Sequence, residues 1–221
     1  MSFFLTGTDT GVGKTHTATC LLRLLRSTGL RCAGFKPICC GDREDADLLL
    51  AASSEGITID EVNPVWLRTP AAPFAASLIE GVEIKIEPLL ERLDDLRRRY
   101  DVVVVEGVGG WLVPLRRDYF VSDLAREMRL PVLVVARNRL GCLNHTLLTV
   151  RSVADAHLSC AGVVLNSVSG AEDFSSTTNA SVLAQIVDVP ILSALTVESG
   201  TLPPEWRQLL CDAAKFGASP V

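Results

Sequence analysis

No window of the 221-residue chain approaches the roughly twenty consecutive apolar residues that a membrane span needs, so a transmembrane anchor is not expected. Long runs of one charge are missing as well. The formal charge of −5 is spread along the chain, which speaks against a nucleic-acid grip or a docking face for anionic membranes. There is no CxxC pair, and the seven cysteines (Cys20, Cys32, Cys39, Cys40, Cys142, Cys160 and Cys211) are odd in number and scattered. Reduced, mostly buried thiols in a cytoplasmic protein are the expectation, with the vicinal pair Cys39–Cys40 the one place where more could happen. Repeats, linkers and low-complexity stretches are absent too. With 48% hydrophobic against 21% charged residues, the chain can bury a sizeable core as a single domain over 1–221. The N-terminal "MSFFLTG" has no basic segment and runs straight into a motif, so a cleaved signal is not expected.

What the chain does have is a rhythm of apolar runs separated by amphipathic stretches. Runs at 2–7, 31–37, 101–107, 130–137, 160–167 and 189–195 are dense in Val, Leu and Ile rather than alternating. That is the pattern of strands buried on both faces of a parallel sheet. "KTHTATCLLRLLRSTG" and "IEPLLERLDDLRRRY" carry apolar residues at helical spacing. The alternation predicts an α/β fold: a doubly wound, mainly parallel sheet of about six or seven strands with helices on both faces. Residues 60–80 break the rhythm with three prolines and several small residues. They read as a loop and short helix beside the sheet, either a wall for a substrate or a plain surface excursion.

The densest signal is "FLTGTDTGVGKTHTA" at 4–18: strand, glycine-spaced turn, Lys-Thr, helix. Phosphate binding needs successive backbone N–H groups aimed into a concavity at a helix N-terminus, with a lysine for charge and a hydroxyl for Mg²⁺. Gly11, Gly13, Lys14 and Thr15 fill those roles. A strict G-x-x-x-x-G-K-T spacing would place a glycine at position 8; the chain has Thr8, with Gly7 one step earlier. Asp9 stands where ATPases that partition chromosomes carry a second lysine, so that regulatory reading loses its main support.

Two further residues are expected at the same sheet edge. Glu106 ends the apolar strand "VVVVEG", and Lys36 ends "GFK" before a proline that fixes the turn. Gly107, Gly109 and Gly110 follow Glu106, as they would if backbone must approach a ligand closely. Asp45 and Asp47 both open the helix "DADLLLAA"; capping explains one of them and a metal role the other.

"TGTDTGVGKT", "GFKP" with an acid about ten residues on, "VVVEGVGGWLVPL", "RLGCLNH" and "GVVLNS", in that order, make nearly the whole chain similar to the dethiobiotin synthetase family. The resemblance implies a homodimer that uses Mg²⁺ and ATP to join CO₂ to 7,8-diaminononanoate. Thr15, Asp47 and Glu106 would then be the metal ligands. Lys14 would serve the β- and γ-phosphates, and Lys36 would be catalytic beside a carbamate. Gly11, Val12, Gly13, His16, Gly107, Val108 and Gly109 would line the nucleotide, and Asn166 would meet the adenine. Thr10 and Cys40 would lie along the substrate, with Gly141, Cys142, Leu143 and Asn144 reaching its carboxylate across the dimer. The reaction implied runs through a carbamate and a carbamic-phosphoric anhydride and needs no nucleophilic side chain. His16, His145, His157 and the cysteines are accordingly expected to be structural. Cys40, Ser167 and Thr196 stand where the family has Ser, Asp and Pro. Two other readings stay open: another ATP-dependent ligase of the same superfamily, or a non-catalytic nucleotide-binding protein.

Overall fold

The computed structural model describes residues 1–167 and 174–216. Its strands, in chain order, are β1 (Ser2–Gly7), β2 (Cys32–Phe35), β3 (Ile38–Cys40), β4 (Val65–Leu67), β5 (Val102–Gly110), β6 (Pro114–Arg116), β7 (Tyr119–Phe120), β8 (Val132–Arg137), β9 (Cys160–Asn166) and β10 (Ile191–Ser193). The helices are α1 (Lys14–Arg26), α2 (Glu44–Ala52), α3 (Ile59–Val62), α4 (Pro73–Glu80), α5 (Glu87–Arg99), α6 (Val121–Met128), α7 (Cys142–Asp155), α8 (Asn179–Leu183) and α9 (Pro204–Phe216).

Six strands form one parallel sheet in the order β10-β9-β8-β1-β5-β2, so the expected doubly wound α/β architecture holds. Alternation explains the apolar runs. Phe4 of β1 and Val103 and Val105 of β5 face a layer that includes Leu89, Leu93 and Leu96 of α5. Phe3, Leu5, Val102 and Val104 face the opposite layer, with Leu21, Leu22 and Leu25 of α1 and Trp206 of α9. Successive side chains point to opposite faces, so a strand covered on both sides must be apolar at every position.

The break at 60–80 holds the expected short helix, α4, and a strand besides. β4 pairs in parallel with β3 to make a separate two-stranded sheet beyond the end of β2, and α4 follows it. The cysteines are free: Cys20, Cys32, Cys39 and Cys142 are buried, Cys40 and Cys160 half-buried, and Cys211 exposed.

Candidate functional site

All six central strands run the same way, so their C-terminal ends share one edge, where open α/β sheets bind ligands. β1 delivers the loop 8–13 there and α1 starts at its end. Gly13 caps α1 with φ 96°, and no side chain caps the first turn or places an acid in it. Its N–H groups are therefore left for an anion. A Cβ at Gly13 would lie 1.8 Å from Asn166 Nδ2. The displaced glycine also has a reason: a Cβ at Gly7 would come within 2.6 Å of the Asp9 carbonyl oxygen and 3.1 Å of Lys14 Nζ. The turn tightens one residue early and leaves room for the lysine, whose Nζ donates to the Asp9 carbonyl at 3.2 Å.

A cavity of about 690 Å³ opens over this turn, within the range of small-ligand sites. Lys14, Thr15, Lys36, Cys40, Asp45 and Glu106 converge in it, and residues 70–73 form its far wall. Thr10, Gly11, Gly13, Val108 and Gly109 also line it. The proline-rich stretch is thus a wall of the cavity.

Thr15 Oγ1 stands 2.7 Å from Asp45 Oδ1 and 2.9 Å from Glu106 Oε1. Lys36 Nζ donates to Asp45 Oδ2 at 2.7 Å and to Glu106 Oε1 at 2.5 Å. Lys36 is 3% exposed and Glu106 fully buried, so this ammonium and carboxylate compensate one another out of water, while Asp45 completes the set from the half-exposed side. Burial opposes the Lys36 charge, but Glu106 and Asp45 outweigh it and hold its pKa above the usual lysine value. Asp45 is shifted the other way. Burial opposes its charge, yet attraction and a hydrogen bond from Lys36 bring its carboxyl below the ordinary range. Lys14 has no such partner; burial and then repulsion from Lys36 lower it from 10.5 to about 8.

The expectation for Asp47 is corrected. Asp47 is exposed on α2 and does not line the cavity, whereas Asp45 does. Two residues along a helix turn a side chain by about 200°, so the two acids cannot share a face. Helical spacing held the signal: Asp45 lies at i, i+4, i+7 with the buried Leu49 and Ala52. Gly107 is corrected in its reason. It is buried outside the cavity, where a Cβ would sit 3.2 Å from Phe4 and Val121, so tight packing favours the glycine.

The remaining expected residues surround the cradle or lie apart from it. Asn166, 5% exposed, donates through Nδ2 to the Val12 carbonyl at 3.0 Å and supports the loop from below. The His16 ring donates from Nε2 to the Leu195 carbonyl at 3.0 Å, tying α1 to the segment after β10. Gly141, Cys142, Leu143 and Asn144 open α7 and do not line this cavity. Burial pushes the Cys39 and Cys40 thiols up to about 12 and about 11, so neither is a thiolate near neutral pH. Asn63 was not anticipated: it is 1% exposed and its amide donates to the Lys36 carbonyl at 2.8 Å.

The oxygen set suits a hard divalent cation. A hydroxyl has one proton and can donate to one carboxylate at a time, yet Thr15 faces two, and Glu106 Oε2 is buried with no hydrogen-bond partner among the described residues. No trio of His, Cys, Asp or Glu side chains gathers among the described residues, so an all-protein cage is not built here. Two carboxylates and a hydroxyl match an ion such as Mg²⁺ that keeps waters and takes further ligands from a phosphate.

Comparison with known proteins gives four findings. Residues 1–203 match the family described as an AAA domain. The chain is 43% identical over 194 residues to the ATP-dependent dethiobiotin synthetase BioD of Akkermansia muciniphila, covering 88% of this chain and 91% of the relative. It is 41% identical over 212 residues to the ATP-dependent dethiobiotin synthetase BioD of Aromatoleum aromaticum, covering 92% and 94%. Among solved structures, the septum site-determining protein MinD with Mg-ADP from Pyrococcus horikoshii aligns with a TM-score of 0.54 over 99% of this chain and 97% of that one. At 16% identity this last likeness speaks for the fold alone.

Proposed function

The chain belongs to the ATP-dependent dethiobiotin synthetase family, and from that membership we propose that it joins CO₂ to 7,8-diaminononanoate and closes the ureido ring of dethiobiotin at the expense of ATP. The observation that supports this most is the convergence of Lys14, Lys36, Asp45, Glu106 and the Thr15 hydroxyl around one volume at the sheet edge.

Residues 11–15 cradle the β- and γ-phosphates with backbone N–H groups, and Lys14 adds charge. Thr15, Asp45 and Glu106 would hold Mg²⁺, which would supply Lewis-acid stabilisation of the terminal phosphoryl. Without a metal, the Glu106 and Asp45 carboxylates hold Lys36 charged, and its part in the reaction is that of a cation beside the phosphoryl. One substrate amine adds to the carbon of CO₂ and loses a proton to solvent, giving a carbamate, which Lys36 orients. A carbamate oxygen attacks the γ-phosphorus and the bond to ADP breaks. The second amine then attacks the carbonyl carbon, phosphate leaves, and the nitrogen loses its proton. Negative charge gathers near the phosphoryl at each stage, so positioning and electrostatics by two lysines carry the rate.

Thr10, Cys40 and residues 70–73 form the substrate side of the cavity. The homodimer proposal rests on Gly141–Asn144, which open α7 off this cavity, as they would if they met the substrate carboxylate of a partner's site. Val108, Gly109, Asn166 and His16 support the nucleotide from the loop's flanks. No helix among the described residues is long and apolar enough to cross a membrane, and a cytoplasmic enzyme is the reading offered.

The test is product formation. Purified protein with MgATP, bicarbonate and synthetic 7,8-diaminononanoate should release ADP and dethiobiotin in equal amounts, with ADP release dependent on the diamine. ADP release indifferent to the diamine, without dethiobiotin, contradicts the proposal.

A further inference from the structure

The segment 36–45 carries Lys36 at one end and Asp45 at the other, and it is stitched to the single stretch 59–67. Lys36 N–H donates to the Val62 carbonyl at 2.7 Å, Val65 N–H to the Pro37 carbonyl at 3.2 Å, and Gly41 N–H to the Leu67 carbonyl at 2.9 Å. β3 and β4 pair from Ile38↔Val65 to Cys40↔Leu67. Carried back at that register, Lys36 stands opposite Asn63. In a regular parallel ladder the N–H of the next residue would then meet the Lys36 carbonyl. That residue is Pro64, which has no N–H.

The Asn63 side chain closes the gap. Its Nδ2 donates to the Lys36 carbonyl at 2.8 Å and to the Val65 carbonyl at 3.0 Å. The other end of the same carboxamide faces α2: Arg43 Nε donates to Asn63 Oδ1 at 3.0 Å, and Arg43 Nη2 donates to the Asn63 backbone carbonyl at 2.7 Å. Arg43 caps α2, its carbonyl accepting from the Ala46 and Asp47 N–H groups at 3.0 and 3.1 Å. One buried carboxamide thus bonds to the backbone of Lys36 and to the residue two positions before Asp45. Donors and acceptor are both used, so it has a single orientation.

We propose that Asn63 is a positioning residue that sets the separation of Lys36 and Asp45 by bonding both flanks of the segment that carries them. This rests on the roles given to Lys36 and Asp45 above. Asn63 shares no hydrogen bond with residues 11–15 among the described residues, so its loss acts on turnover and spares nucleotide affinity.

Three variants separate this role from plain structural support. Asn63→Asp keeps an acceptor for Arg43 and loses both donations; Asn63→Ala loses all three bonds; Arg43→Gln cuts the α2 side at a partly exposed residue. Each is assayed where circular dichroism shows it fully folded, with nucleotide Kd and kcat measured apart. The two Asn63 variants should lose about ten- to hundredfold in kcat, the scale of a displacement near 1 Å, with Kd within about twofold. Arg43→Gln should lose less, and the Asn63→Ala/Arg43→Gln pair no more than Asn63→Ala alone. If Asn63→Ala does not fold, Asn63→Asp and Arg43→Gln decide. A lowered Tm with wild-type kcat in the folded protein overturns the inference, as do equal losses in kcat and nucleotide affinity. Wild-type protein without diamine-dependent product would instead sink the assigned reaction.

Discussion

Lys14 is 6% exposed beside Lys36, and burial followed by repulsion from Lys36 lowers its pKa from 10.5 to about 8. A bound polyphosphate surrounds the same ammonium with negative charge and restores its proton affinity. Binding above pH 8 therefore takes up a proton, and affinity falls as pH rises. With a free-state value of about 8, roughly nine-tenths of Lys14 is charged at pH 7 and roughly one-tenth at pH 9, which predicts about a tenfold loss of nucleotide affinity over that interval, or about 1.4 kcal/mol. Isothermal titration in two buffers of different ionisation enthalpy reads both numbers at once. It should show nearly one proton taken up per nucleotide at pH 9 and close to none at pH 7. Equal affinity and no proton uptake at the two pH values would refute the reasoning.

The same depressed value bears on stability. The folded pKa of Lys14 lies below its unfolded one, so between pH 8 and about 10 this lysine alone contributes stability that rises with pH, against buried thiols such as Cys39 and Cys40 whose raised values work the other way; Lys14→Met should therefore steepen the fall of nucleotide-free stability across that window in a denaturant titration. Asp45→Asn should cut kcat by about a hundredfold or more by removing the proposed metal ligand and a Lys36 partner, while Asp47→Asn, on the exposed face, stays within about twofold in the product assay. Gly13→Ala puts a Cβ against Asn166 at φ 96° and should cost about 2–4 kcal/mol in thermal unfolding together with loss of nucleotide binding.

The central sheet was legible because strands covered on both faces leave no polar gap: "SFFLTG", "DVVVVEG" and "LPVLVVAR" read as strands for the same reason that they are buried. Lys36 and Glu106 were legible for a related reason, as charged residues ending such runs. The β3–β4 pair was not. Its strands are three residues each, flanked by Pro37 and Pro64, and short runs broken by proline give no period to read. Asp45 and Asp47 show the opposite case, where the period was present but the choice between two neighbouring acids needed the inward stripe of α2. Asn63 carried no motif at all; its role follows from a missing N–H on the adjacent proline, which shows only once the two segments lie side by side.

The central claim is that two buried lysines divide the work, Lys14 for the nucleotide and Lys36 for the transferred phosphoryl. Lys36→Ala measures it most directly, with dethiobiotin formation and nucleotide affinity determined on the same sample. Turnover should fall by about a thousandfold or more while nucleotide Kd moves less than about threefold. Dethiobiotin formed by Lys36→Ala at near the wild-type rate would contradict it.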